Sequence, residues 1–183
     1  MLELNDVLVE GAENTVSMMA QEHQVTCLTG GSSTVRSQLL LAMMGLATVK
    51  SGYISIDGEP LEASNVKIFR RLMSYAPNQL EAEGKMTVYE PPTVQDVFSW
   101  KDNRDAAISN GLLEEEMKRT MAPRAKAQLL AVAVLRRRPI LLVDQPDALS
   151  ANYLHHLATD GQLVIVSSDV PAILGISDNV VEI

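Results

Sequence analysis

The chain has 183 residues, of which 46% are hydrophobic, and a formal net charge of −8. This length and composition are typical of one globular domain, and the acidic balance argues against bulk electrostatic binding to nucleic acid or anionic lipid. The single cysteine, Cys27, excludes an internal disulfide framework and indicates a reducing compartment.

Neither a signal peptide nor a membrane span is predicted. The N-terminus has no basic stretch followed by an apolar core, and the longest strongly apolar stretch, residues 39–49, is too short to cross a bilayer. We therefore expect a cytoplasmic protein without direct membrane insertion, which would associate with a membrane only through a partner.

The first sixty residues predict a small antiparallel sheet beside a strand–turn–helix unit. Strand patterns at residues 2–9 and 14–19 come first, and a buried strand at residues 25–29 then enters the turn Gly30-Gly31. Apolar residues at helical spacing follow this turn. Alternation over residues 53–57, ending in Asp57-Gly58, indicates a further strand and a hairpin.

The rest of the chain predicts a parallel sheet covered by helices. Strands are predicted at residues 73–76, 140–143, 163–166 and 180–183, and helices at residues 94–100, 112–119 and 123–135. Strands that alternate with helices and are apolar on both faces indicate an α/β fold with a mainly parallel sheet. Ligands of such sheets bind at the carboxyl ends of strands, where Gly30, Asp144 and Ser168 fall.

Residues 30–37, with the sequence GGSSTVRS, have the frame of a phosphate-binding loop. The working pattern has glycine and lysine where this chain has Val35 and Arg36, whereas Ser37 keeps the hydroxyl group. A helix that begins in such a loop presents free backbone N–H groups to an anion. The candidate phosphate-binding residues are Gly30, Gly31, Ser32, Ser33, Thr34, Val35, Arg36 and Ser37. A strand–turn–helix unit without a ligand is the alternative interpretation.

Five segments in this order resemble the ATP-binding cassette (ABC) family, the nucleotide-binding subunits of membrane transporters. They are residues 28–40, 51–61, 75–79, 120–147 and 161–183. The resemblance implies an α/β fold of the P-loop NTPase type, with a mainly parallel sheet, flanking helices, a small antiparallel β-subdomain and a reduced helical subdomain. We expect one domain over residues 1–183, with the helical insertion at about residues 80–120.

The resemblance also implies the residues of a nucleotide site. Asp144 stands at the Walker B carboxylate and, with Ser37, would hold Mg²⁺ if a nucleotide binds. Asn78 stands at the Q-loop glutamine, although a one-residue slip would place Gln79 there. No aromatic residue occurs in residues 8–11, where the family usually stacks adenine.

The chain departs from the family where catalysis is expected. Gln145 stands at the position of the carboxylate that activates water, and an amide cannot accept that proton. Ser168 stands at the switch histidine, and residues 120–124, TMAPR, replace the signature segment. We therefore assign no catalytic residue to this chain.

Two functions follow from the resemblance. In the first, the chain is a degenerate ABC ATP-binding subunit, with weak or absent binding of ATP and Mg²⁺, that acts as a non-catalytic or regulatory partner of a second ATP-binding subunit, a membrane-spanning permease, or both. In the alternative, the chain is a divergent but active ATPase that energises transport, with Arg36 in place of lysine. A binding module that keeps only the fold is a third possibility.

Overall fold

The computed structural model describes residues 1–79 and 110–183, which contain two sheets and the helices packed on them. The antiparallel sheet has the strand order β2-β1-β4-β5. Its strands are β1 (Leu2–Val9), β2 (Val16–Ala20), β4 (Val49–Ile56) and β5 (Glu59–Pro60). The predicted antiparallel subdomain beside the phosphate-loop segment is confirmed.

The second sheet is entirely parallel, with the order β6-β7-β8-β3-β9. Its strands are β3 (Val25–Thr29), β6 (Met73–Ala76), β7 (Ile140–Asp144), β8 (Leu163–Ser167) and β9 (Asn179–Glu182). The predicted parallel sheet is therefore confirmed. Since β3, β7 and β8 are neighbours, the residues that follow them lie at one edge of the sheet.

Six α-helices surround these sheets in the described ranges. They are α1 (Ser33–Met43), α2 (Val66–Leu72), α3 (Asn110–Thr120), α4 (Arg124–Leu135), α5 (Ala151–Thr159) and α6 (Pro171–Leu174), and a short 3-10 helix spans Ala148–Ser150. Helices α2, α5 and α6 were not predicted from the sequence. α2 buries only Phe69, so it has no repeating apolar stripe to reveal it. The predicted helix at residues 94–100 lies outside the described residues.

None of these described helices is long and apolar enough to cross a membrane.

The hydrophobic core lies on both faces of the parallel sheet because successive strand side chains point to opposite faces. Ile140 and Leu142 pack in the cluster that includes α1 and the antiparallel sheet. Leu141 and Val143 belong to the cluster on the other face, with residues of α4 and α5. Cys27 is fully buried in this second cluster, and burial raises the pKa of its thiol. Covering both faces in this way fixes the strand ends that form the site.

Candidate functional site

The phosphate-loop segment folds around the N-terminus of α1. Gly30 and Gly31 have φ of +74° and +52°, which glycine tolerates best. A Cβ atom on either residue would also come within 3.0 Å of Glu182 or Ile183. The Ser32 hydroxyl caps the helix by accepting a hydrogen bond from the Val35 amide at 3.2 Å. The strand–glycine–helix geometry of the loop is therefore present.

Arg36 directs its charge back into the protein. Its side chain is only 4% exposed, and Nη1 donates to the Gly30 carbonyl oxygen at 2.5 Å. Nη1 and Nη2 also donate to the two carboxylate oxygens of Asp169, at 3.1 Å and 2.5 Å. Such a two-pronged pair is among the strongest hydrogen-bonded contacts in proteins. The cation of the loop is therefore neutralised internally.

Asp169 is the centre of this arrangement. Besides Arg36, its Oδ1 atom accepts hydrogen bonds from the Thr29 hydroxyl at 2.9 Å and the Gly30 amide at 3.1 Å. Burial alone would raise the pKa of Asp169, but the hydrogen bonds from Thr29 and Gly30, together with the Arg36 charge, outweigh burial and lower it. The ionised carboxylate of Asp169 thus accepts the hydrogen bond from the Gly30 amide, the first amide of the loop.

Asp144 lies at the end of β7 and is buried. Its Oδ2 atom accepts hydrogen bonds from the Ser37 hydroxyl at 2.7 Å and the Tyr75 hydroxyl at 3.3 Å. Its Oδ1 atom accepts one from the Ser167 hydroxyl at 2.5 Å. Burial and the nearby Asp144 carboxylate raise the pKa of Tyr75, so its hydroxyl stays a proton donor. The structure therefore brings together Ser37 and Asp144, the two residues expected to hold Mg²⁺.

Lys126, in the first turn of α4, joins two further parts of the site. Its ammonium group donates to the Asn78 side-chain oxygen and to the Gln145 backbone oxygen, the latter at 2.7 Å. Burial lowers the pKa of Lys126, while Asp144 and Asp147 act to raise it. Asn78 is half-buried and Gln79 is exposed, so Asn78 is the residue placed at the site.

Two further predicted positions are Ser168 and the segment of residues 120–124. Ser168 is buried, and its hydroxyl accepts a hydrogen bond from the Val170 amide at 3.1 Å. In residues 120–124, Met121 is 68% exposed with φ of +58°, and Pro123 precedes the first residue of α4. Neither segment presents the hydroxyl or imidazole that the family uses there.

A cavity of about 300 Å³ opens beside the loop, between it and the segment that follows β1. The described residues that line it are Gly11, Ala12, Glu13, Asn14, Gly31, Ser32, Val35 and Ile183. None of them is aromatic, and one is a carboxylate. The cavity thus provides neither an aromatic ring to stack on a base nor a positive charge.

The residues present fit Mg²⁺ better than they fit a nucleoside triphosphate. Ser37 and Asp144 offer adjacent oxygen atoms, the ligands that Mg²⁺ prefers. The only cationic side chain of the loop, Arg36, is committed to Asp169. Phosphate oxygens would have to displace this ion pair or bind backbone N–H groups alone.

The family described as ABC transporter matches residues 14–148, about three quarters of the chain. The chain therefore belongs to the ABC transporter family and has the architecture of its ATP-binding subunits.

Individual relatives are distant. The arabinose import ATP-binding protein AraG of Pectobacterium atrosepticum is 21% identical over 98% of this chain, and the chain spans only 41% of that protein. A solved ATP-binding subunit of an ABC transporter is similar in structure, with a TM-score of 0.70 and 18% identity. The match covers all of this chain and 85% of that subunit. The dimeric ATP-binding cassette MJ0796, bound to ADP and phosphate, has a TM-score of 0.67 and 17% identity. The match covers all of this chain and 94% of the MJ0796 chain.

Sequence reasoning missed four residues of this site: Asp169, Lys126, Ser167 and Tyr75. One signal was available for Lys126, because a cation in the first turn of a helix opposes the helix dipole and implies a tertiary partner. Asp169 adjoins Ser168, which was predicted at a strand end and stands at the position of the family's switch histidine. Which of several neighbouring polar residues turns toward the site is decided by packing rather than by their order.

Proposed function

We propose that this chain is a degenerate ABC ATP-binding subunit, which binds Mg-nucleotide weakly or not at all and acts as a non-catalytic or regulatory partner in a transporter complex. The observation that carries the proposal is the pairing of Arg36 with Asp169 and the Gly30 carbonyl. A phosphate group would have to compete with the Asp169 carboxylate for this guanidinium and the Gly30 amide, or bind the remaining backbone N–H groups alone.

The replaced catalytic groups support the proposal. Gln145 offers no carboxylate to accept a proton from water, and the buried Ser168 hydroxyl is bonded to backbone. Loss of one positioned acid, base or electrostatic group costs roughly 10²–10⁴ in rate. Several such losses together would leave hydrolysis close to the uncatalysed background.

The proposed partners follow from the family. A chain without its own turnover would act by pairing with a second ATP-binding subunit, by docking on a membrane-spanning permease, or both. The dimeric state of MJ0796, a fold relative, makes a pair of cassettes a reasonable arrangement. In such a pair residues 120–124 would face the partner's nucleotide without the family's signature residues, and that composite site would be inactive.

Phosphate release tests the proposal. The purified chain, its Asp144→Ala variant and the triple variant Arg36→Lys, Gln145→Glu, Ser168→His would be compared in Mg-ATP, with circular dichroism to verify folding. We expect the unmodified chain to release phosphate no faster than Asp144→Ala. Clear turnover of the unmodified chain that Asp144→Ala abolishes would contradict the proposal.

One observation favours the alternative of a divergent, active ATPase. The Ser37 hydroxyl oxygen and the Asp144 Oδ2 atom lie 2.7 Å apart, so both could bind one divalent cation. Under this alternative Arg36 would leave Asp169 and turn to the phosphates. The same assay separates the two functions, because only the active enzyme depends on Asp144 for turnover.

A further inference from the structure

Three separate segments meet at the ammonium group of Lys126. Asn78 follows β6, Lys126 lies in the first turn of α4, and Gln145 follows β7. Nζ donates to the side-chain oxygen of Asn78 and, at 2.7 Å, to the backbone oxygen of Gln145. One cation thus bridges two oxygen atoms that are 67 positions apart in the chain, and it is itself carried by a third element.

The polar groups that face Lys126 favour a cation at this point. Asp144 and Asp147 both lie close enough to favour the charged form of Lys126. A cation in the first turn of α4 opposes the helix dipole, and partial burial removes water from it. The two oxygen acceptors and the two carboxylates offset part of these costs, and burial remains the larger effect on the pKa of Lys126.

The backbone at Gln145 is also held in an unusual state. Its φ is +48°, in the left-handed region that non-glycine residues rarely adopt. Its amide donates to the Ser167 carbonyl at 3.0 Å, and its carbonyl accepts from Lys126. Such conformations persist only where the surroundings enforce them. Lys126 is therefore one of the contacts that hold the loop after β7.

We propose that Lys126 is the resident cation of this junction, and that its ammonium group holds α4 and the segment after β6 to the end of the parallel sheet without bound nucleotide or metal. Lys126 is a positioning residue in this role. The inference goes beyond the proposed function and does not depend on whether the chain binds nucleotide. Under this inference, the position of α4 does not depend on whether a ligand occupies residues 30–37.

Hydrogen exchange of the chain without nucleotide tests this inference. Lys126→Met keeps most of the apolar stem and removes the ammonium group. We expect amides in residues 76–79 and 145–150 to exchange about tenfold faster in this variant, since a hydrogen bond to a charged group is lost on each side. Lys118→Met, at an exposed position of α3, is the matched control and should exchange like the unmodified chain.

A double-variant cycle distinguishes the bridge from simple packing. Asn78→Ala alone should accelerate exchange of residues 145–150, and adding it to Lys126→Met should bring little further change, because both remove one interaction. Lys126→Arg, which keeps the charge, should restore part of the protection. Exchange in Lys126→Met equal to the unmodified chain, strictly additive variants, or protection of the unmodified chain by millimolar Mg²⁺ alone would each overturn the inference.

Discussion

Arg36 carries its charge on a planar fork, whereas a lysine carries it on a compact ammonium group. The fork matches a carboxylate edge to edge, and the residue that meets it is Asp169. Because Arg36 is buried and Asp169 is 58% exposed, the pair is half open to solvent. At the scale of single residues, the shape of the guanidinium group allows Arg36 to make an internal contact with Asp169.

Replacing Asp169 by asparagine should destabilise the chain by about 1–2 kcal/mol at neutral pH, a value reduced by solvent screening. The pKa of Asp169 is lowered in the folded state, so its stabilising effect is complete above the unfolded value of about 3.9 and is lost as pH falls through the folded value. When urea unfolding is measured from pH 7 to pH 3, the difference in the free energy of unfolding between the unmodified chain and Asp169→Asn should therefore shrink below about pH 4.

Asp160→Asn, at the exposed residue that follows α5, is the control for that experiment. A stability difference for Asp169→Asn that stays constant down to pH 3 would show that the Asp169 carboxylate does not support the loop through its charge.

Described polar contacts from both helices attach the α3–α4 hairpin to the rest of the molecule. Besides Lys126 in α4, the buried Glu116 of α3 accepts a hydrogen bond from the Tyr153 hydroxyl of α5. Burial and the Glu116 carboxylate raise the pKa of Tyr153, so the hydroxyl remains a donor at neutral pH. Two elements distant in sequence are thus joined by one buried polar pair.

Removing this hydroxyl with Tyr153→Phe should lower the free energy of unfolding by about 1–2 kcal/mol, because the buried Glu116 would lose the donor to one carboxylate oxygen and keep only Arg119 beside the other. Tyr53→Phe, at a half-exposed position in β4, should change it by less than about 0.5 kcal/mol. Denaturant midpoints of both variants measure the difference. Equal midpoints for the two would mean that the Glu116–Tyr153 contact is not needed to hold α3.

At the scale of the whole molecule, the described residues have the scaffold of a nucleotide-binding cassette, and Arg36 in its loop is paired internally. Strands β3, β7 and β8 place the loop, Asp144 and Asp169 at one edge of the parallel sheet. Ser37 and Lys126 donate to acceptors within the protein. Both terminal nitrogens of Arg36 do the same, although its buried Nε has no hydrogen-bond partner. Ligand binding should therefore add little to the stability of the fold.

Thermal unfolding measures this directly. If the dissociation constant for Mg-ATP is near 1 mM or weaker, 1 mM Mg-ATP should raise the unfolding temperature by only about 1 °C. A micromolar site would add about 4 kcal/mol and raise it by about 10 °C or more. The variant with Val35→Gly and Arg36→Lys, which restores the working loop pattern, provides the comparison and should show the larger shift. A large shift in the unmodified chain would contradict weak binding.

The strands and the glycine turn could be predicted from the sequence because their causes are local. The apolar run within Ile140–Asp144 indicates a strand that is buried on both faces. The pair Gly30-Gly31 indicates a backbone conformation that other residues rarely adopt. Helix α2 could not be predicted in this way because its single buried residue leaves no periodic pattern. The order and spacing of the motifs were enough to identify the family.

The partners of each polar side chain were decided only by the tertiary structure. Arg36 meets Asp169 across 133 positions, and Lys126 meets Asn78 across 48. A sequence specifies which residues carry charge, but burial and the packing of helices on the sheet determine which charges are close enough to pair. Replacement of the family's lysine by Arg36 was therefore visible in the sequence, whereas its internal pairing was not.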